Sequence, residues 1–438
     1  MESYFRELSH KIFSHLHGGE ILLINYQAEE SDFCRFNQNK IRQAGHVQQQ
    51  NVQMELICDQ KQCVAKFDLS GNLSWDVELA KEYLTIQRQQ LIVIPQDPFL
   101  HYANELYNSE KISENVLPNT EDAIDHINRT AKNLDLVGIF ASGALHNGFA
   151  NSLGQFNWQT NYSFNFDWSV YLQQDKAVKQ NYAGNVWQNE LIQQKIEFAK
   201  ETLPILSQKE KSIRPGKYRI YLTSVALQEL FELLNWGGFG EKSHQTAQTP
   251  LLKMKTEGLE LNSNISITEN FSTGFSPRFT KQGFKLPASV SLIKNGKFDN
   301  CLANSRSAKE FDTKVNCNIE HPCSMEMSNG DLSMDNVLQE LDTGVFISNL
   351  WYCNYSDRNN CRMTGMTRFA CMWVENGIPI APLSVMRFDE SLLNLLGEKL
   401  QAVTVEREHI LDASTYHARS NTSWSLPGIL VDDFTFTL

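Results

Sequence analysis

Along the first twenty positions the apolar residues fall at Tyr4, Phe5, Leu8, Ile12, Phe13 and Leu16, the spacing of one face of a helix. The period then changes. Residues 21–27 (ILLINYQ) read as a strand, and residues 52–58 alternate Val52, Met54, Leu56 and Cys58 against polar neighbours. After a turn at 59–62 the alternation resumes through Cys63, Ala65, Phe67 and Leu69, and a helix is predicted over about 75–90. Residues 91–98 (LIVIPQDP) begin a connection. A second helix is capped near Asn119-Thr120, with Ala123, Ile124, Ile127, Ala131 and Leu134 as its buried stripe. Strands follow at 136–143 (LVGIFASG) and 162–172 (YSFNFDWSVYL), then a helix over 188–203 that Pro204 is expected to end.

A third stretch opens at Pro215-Gly216 with a strand over 217–223 (KYRIYLT) and a helix over 224–235. Asn295-Gly296 and Asn376-Gly377 each sit between alternating segments, the sign of a tight hairpin. A further helix is predicted over 389–400, begun by an Asp cap. Together these patterns predict an α+β chain in three parts. Residues 1–90 form an N-terminal α+β domain and 91–210 a central α/β domain. Residues 211–438 form a larger β-rich C-terminal domain of antiparallel strands with a few helices.

Composition narrows the function. With 438 residues the chain is too long for one core. It carries a formal net charge of -12, and its densest basic run, KEKSIRPGK at 209–217, is a short linker. Counterion release then has little to act on, so nucleic acid is excluded as a partner. No stretch approaches the ~20 apolar residues that span a bilayer, so no membrane partner is expected. Nine scattered cysteines, an odd number without a dense framework, favour free thiols and a cytoplasmic location.

Three places invite chemistry. On the helix over 224–235, Leu227, Leu230, Phe231 and Leu234 form one apolar stripe, while Gln228, Glu229 and Glu232 lie off it. Catalytic zinc needs three His, Cys or carboxylate ligands and an open position for water, and neither Gln228 nor Leu233 qualifies. Cys317, His321 and Cys323 in CNIEHPC have the right ligand types, but C-x3-H-x-C matches no common zinc spacing. A loop with incidental thiols is the plainer reading. Cys353 and Cys361 in YCNYSDRNNC could supply a nucleophile only with a base in reach, which sequence does not show. The glycines of WGGFGE at 236–241 follow a helix instead of opening one, so they make no phosphate loop.

Longer stretches are less anonymous. GKYRIYLTSVALQELFELL, SLIKNGKFDNCLANSRSAKEF and the run at 330–396 resemble successive segments of the TldD/PmbA family, historically called modulators of DNA gyrase. In the last run the Gly-Val-Phe-Ile strand, Thr364-Gly365-Met366-Thr367-Arg368 and Met386-Arg387-Phe388 carry the likeness. RFNQNKI, VGIFASG and SLPGILVDDF extend it over nearly the whole chain in the same order. The resemblance implies a metallopeptidase relative. In the zinc-bearing branch, His-Glu, three residues and His occupy the helix after the KYRIYL-type strand, with a cysteine near the C-terminus as a further ligand. Here those helix positions are Gln228, Glu229 and Leu233, and 406–438 contains no cysteine. The degenerate set places the chain with the PmbA (TldE-like) branch. That branch implies no catalytic residue, no metal and no cofactor in this chain, zinc only in a TldD-like partner, and heterodimeric proteolysis or maturation of unfolded peptides. Two alternatives stand beside it. One is an autonomous hydrolase using residues outside the family pattern, and the other is a homodimer that binds peptides without chemistry.

Overall fold

Residues 21–68 fold as a three-stranded meander because two tight turns hold consecutive residues at positive φ, Gln38-Asn39 in one and Asp59-Gln60 in the other. The structure, a computed structural model describing residues 1–173 and 176–437, forms strands β1 (Ile21–Asn37), β2 (Lys40–Cys58) and β3 (Lys61–Asp68) there. Helix α1 (Glu2–Phe13) precedes them. Helix α2 (Leu73–Val93) follows, capped by Asn72, whose side chain accepts from the Trp75 N–H at 3.1 Å. Next come β4 (Ser109–Ile112), α3 (Thr120–Thr130), β5 (Asp135–Asn151), β6 (Phe156–Gln173), β7 (Lys176–Gly184) and α4 (Asn189–Leu206). Helix α4 runs past Pro204, contrary to expectation. The proline lies in the last turn, where its ring forfeits a single backbone bond, and the Ser207 N–H still caps Leu203 O at 3.1 Å.

The α+β class expected from the sequence is found, but its grouping differs. Strands from the expected N-terminal and central modules form one seven-stranded sheet, in the order β3-β2-β1-β5-β6-β4, with β7 on β6. Antiparallel pairing of β1 with β5 runs from Leu23↔Asn151 to Phe36↔Gly138, and the short β4 alone is parallel to its neighbour. Alternation separates the two faces. On one, Leu22, Ile24, Tyr26 and Trp158 pack beneath α1 and α2 at one end. At the other end Phe140, Phe164, Phe166 and Trp168 pack beneath α3 and α4. The opposite face carries amides and hydroxyls that dock on the C-terminal part. Asn25 donates to Lys281 O at 3.0 Å, Gln155 to Gly283 O at 2.7 Å and Gln159 to Phe275 O at 3.0 Å. Side chains that satisfy buried carbonyls make this a specific junction rather than a greasy one.

The C-terminal part begins with β8 (Gly216–Leu222) and α5 (Ser224–Leu234). Its further strands are β9 (Ile267–Glu269), β10 (Val290–Lys294), β11 (Lys297–Phe298), β12 (Ser324–Met327), β13 (Gly344–Ile347) and β14 (Asn349–Asp357). After these come β15 (Arg362–Arg368), β16 (Met372–Glu375), β17 (Ile378–Pro382), β18 (Arg387–Ser391), β19 (Leu400–Leu411) and β20 (Ser423–Phe436). They join in one thirteen-stranded sheet. It is mixed, not antiparallel throughout: β8 runs parallel to β13 and β12 parallel to β20. Those partners are reached through long excursions, which local alternation does not record. Both Asn-Gly turns form as expected, with φ of 48° and 78° at Asn295-Gly296 and 51° and 76° at Asn376-Gly377. The helix expected over 389–400 does not form. Asp389 and Glu390 lie in β18 paired to β15, and only Leu392–Leu395 is helical. Among the described residues no helix is long and apolar enough to cross a membrane.

Candidate functional site

Helix α5 starts where β8 leaves the sheet. Thr223 Oγ1 accepts from the Ala226 N–H at 3.2 Å and donates to Ser348 O at 2.7 Å, so the cap also ties the helix to the β13–β14 junction. The expected stripe of Leu227, Leu230, Phe231 and Leu234 is buried, and Ala226 and Leu233 join it. At the other end the Gly238 N–H bonds back to Leu234 O at 2.6 Å, after Gly237 turns the chain at φ 85°.

The polar side of the helix opens on a cleft of about 260 Å³. Val225, Gln228, Glu229 and Glu232 line its floor. The walls come from Asp167 of β6, Lys179 and Asn181 of β7, Asn349 to Trp351 of β14, and the segment from Ile410 to Ser414 that leaves β19. Lys179 Nζ pairs with Asp167 Oδ1 at 2.5 Å. Gln228 Nε2 donates to Glu232 Oε1. Burial raises the Glu229 carboxyl above its usual range, with nearby Lys179 opposing. Glu232 is pushed up to about 7, first by burial and then by the negative charges of Glu229 and Asp412.

A stability consequence follows with a definite sign. Below the ordinary value of 4.5 the Glu232 carboxyl is neutral both folded and unfolded, and it costs nothing. As pH rises, the unfolded chain loses this proton first, so folding becomes less favourable until the folded carboxyl ionises near 7. Glu232→Gln keeps an acceptor for Gln228 and removes this loss. The variant is expected to gain roughly 2 kcal/mol over wild type at pH 8 and little at pH 4, read from urea midpoints at the two pH values. An equal gain at both pH values would contradict it.

Zinc does not fit this helix. Gln228 presents an amide already bonded to Glu232, and Leu233 is 4% exposed among the C-terminal core residues. Tyr355 donates to the Leu233 carbonyl at 2.8 Å, which fixes that turn against β14. Among the described residues no three His, Cys, Asp or Glu side chains gather in a metal-holding arrangement. Cys317, His321 and Cys323 are therefore not brought together as ligands. Cys317 sits in the aliphatic core, and the Cys323 sulfur meets the backbone oxygen of His321, at 3.8 Å, not its imidazole. Burial pushes the Cys323 thiol up to about 12, raises Cys317 and lowers the imidazole of His321. Neutral thiols are poor ligands and poor nucleophiles. The same holds for Cys353, pushed up to about 12 by burial and by Glu229 and Glu232. All nine cysteines are free.

Asp167, Lys179, Asn181, Asn349 and Asp412 are cleft residues that sequence reasoning missed. The alternation of Asn and Asp with aromatics in YSFNFDW marked a polar face on β6, but nothing local indicated what that face would meet.

The sequence model for the PmbA/TldA metallopeptidase C-terminal domain matches residues 215–438. In fold the chain is similar to TldE from Thermococcus kodakarensis, with a TM-score of 0.77 at 15% identity over 99% of this chain and 100% of that one. It is also similar to a protein from Thermotoga maritima described as a modulator of DNA gyrase, with a TM-score of 0.75 at 16% identity over 99% and 100% of the two chains. A protein of Bacteroides thetaiotaomicron with a like description gives 0.72 at 14% identity, over 99% and 98%. No curated protein matches the chain by sequence.

Proposed function

This chain belongs to the PmbA/TldD metallopeptidase family, and from that premise we propose that it is the non-catalytic, TldE-like subunit of a heteromeric peptidase acting on unfolded peptides. The observation that carries this reading is the side-chain set on α5. Where the zinc-bearing branch needs two imidazoles, this chain has Gln228, bonded along its own helix, and Leu233, sunk in the core. Glu229 keeps the position of the general base but has no metal-bound water to act on. What the chain then supplies is wall, cleft and contact surface to a partner that carries the zinc. The likeness of its fold to TldE supports the same role.

The test uses purified chain and a family homologue with an intact His-Glu and second His. The chain alone is expected to leave an unfolded peptide uncut, and the mixture to cut it in a chelator-sensitive manner, with both chains in one complex by native mass measurement. Chelator-sensitive turnover by the isolated chain would overturn the proposal.

A further inference from the structure

The polar face of the seven-stranded sheet does not close everywhere on the C-terminal part. Between the two lies a cavity of about 650 Å³, floored by β1, β2, β3 and β5 and roofed by segments 276–281 and 416–422. Strand register sets three side-chain amides in one row on its floor. Gln27 of β1 stands opposite Asn51 of β2 on one side and Asn147 of β5 on the other. Residues directly opposite in a sheet share a face. That face is the one under the roof, because Asn25, two positions before Gln27, donates to Lys281 O. Gln27 is exposed, and Asn51 and Asn147 are partly so. Asn25 and Gln49 on the same floor are bonded to Lys281 O and Glu29, whereas the three amides of the row have no side-chain hydrogen bond among the described residues.

The charges around the cavity are a second, independent observation. Lys66 of β3 lines it from the floor and Lys281 from the roof. Lys66 is exposed and Lys281 partly so, and among the described residues neither ammonium has an ion pair or a hydrogen bond. The two are neighbours: burial first, and then the charge of Lys66, hold Lys281 below its usual value, with Glu55 opposing from outside the cavity lining. The other charged groups are mostly engaged. Glu29 accepts the Gln49 amide at 2.9 Å and the Arg419 N–H at 3.1 Å, and the Arg419 guanidinium is bonded to Ser31 and Ser163. Asp68, exposed opposite Asn51, is the carboxylate left over. Two ammonium groups facing one carboxylate call for one further negative charge.

We propose that this cavity binds a peptide carboxylate, held by Lys66 and Lys281, with the adjoining peptide groups laid along Gln27, Asn51 and Asn147. A side-chain amide carries a donor and an acceptor side by side, the same pair that a peptide group presents. Neighbouring strands set the three amides about 4.8 Å apart, so the row meets more than one peptide group at once. The volume is that of a small-ligand site and admits a few residues. A free phosphate would engage the lysines but gain nothing from the amide row. That the guest is a peptide rests on the functional reading above; capture of a carboxylate by the two lysines does not.

The experiment is calorimetric titration of the full isolated chain at pH 7 with three tripeptides and inorganic phosphate. Two peptides are acidic: Ac-Ala-Ala-Ala with its free C-terminal carboxylate, and Ac-Ala-Glu-Ala-NH2. The third, Ac-Ala-Gln-Ala-NH2, has the shape of the glutamate peptide without the charge. At least one acidic peptide is expected to bind about tenfold more tightly than the glutamine peptide, and the one preferred identifies the source of the carboxylate. Lys66→Met with Lys281→Met should bring that affinity down to the glutamine level. Lys66→Met alone, at an exposed position, should lower it in part, as should Gln27→Ala. The far-UV spectrum and urea midpoint verify that the variants fold. Equal binding of the glutamine peptide, no acidic binding up to about 10 mM, full affinity in the Lys66→Met variant, or phosphate bound as tightly as the preferred peptide would overturn the inference. Failure to find a zinc-bearing partner would leave these titrations unaffected, so the two proposals fail separately.

Discussion

Gly143→Ala is expected to destabilise the chain by about 4 kcal/mol or more, the sum of a forced overlap and the strand bonds it breaks. Gly143 lies mid-way along β5, opposite Ser31 of β1 on one side and Ser163 of β6 on the other. A methyl group there would stand 2.1 Å from the Glu30 carbonyl oxygen and 2.7 Å from the Ser31 Cα. Those atoms are backbone inside a paired strand, so no rotamer change relieves the contact, and β1 must shift. The residue also sits at φ 154°, which alanine rarely adopts. The damage spreads further, because Arg419 spans this bare position. It donates to Ser31 Oγ at 3.1 Å and to Ser163 Oγ at 2.8 Å, clasping the β19–β20 segment to the sheet. The comparison is Gly18→Ala, in a turn with no atom within 4 Å of the added carbon, expected to change stability by less than about 0.5 kcal/mol. Urea unfolding of both variants decides the matter; a Gly143→Ala midpoint matching that of Gly18→Ala would refute the argument.

Leu233→His, which puts an imidazole where the proposed likeness to the zinc-bearing branch would have one, is expected to cost about 3–5 kcal/mol at neutral pH. The change removes a buried leucine side chain and puts a polar ring in its place. Leu233 is almost wholly enclosed, in a core that includes Leu230, Leu234 and Cys361. Burial also holds a histidine there below its usual value, so the penalty grows as pH falls toward 5 and the unfolded chain takes up the proton. Leu233→Met conserves volume and should cost less than about 1.5 kcal/mol. Thermal unfolding at pH 8 and pH 5 checks both the size and the direction. A histidine variant as stable as the methionine one at both pH values would mean that the core around α5 has room for an imidazole.

These two positions show what can be read in a sequence and what cannot. The packing stripe of α5, its Thr223 cap and the paired glycines at its end were legible because each works within a few residues. So were the Asn-Gly hairpins. The segment over 389–400 was misread because Asp389 looks like a cap, whereas its strand is held by β15, more than twenty residues away. The cleft was half legible: Gln228 and Glu229 stood out on the helix. Asp167, Lys179 and Asp412 did not, because they become neighbours of α5 only through pairing across the sheets. Gly143 gave no signal either, since its importance comes from Glu30, over a hundred positions earlier.

The pairing of β1 with β5 also has a consequence in time. Phe36 faces Gly138 across that ladder, so a ribosome must add roughly 100 residues after β1 before its partner exists, some 5–20 seconds at ordinary elongation rates. Through that interval the nascent meander of β1, β2 and β3 carries, besides the outer edge of β3, a second open hydrogen-bonding edge from Leu23 to Phe36. Stalled synthesis lengthens this window, and an early stop makes it permanent. Half-made chains, more than finished ones, are then the species that stick to one another and occupy the cell's chaperones.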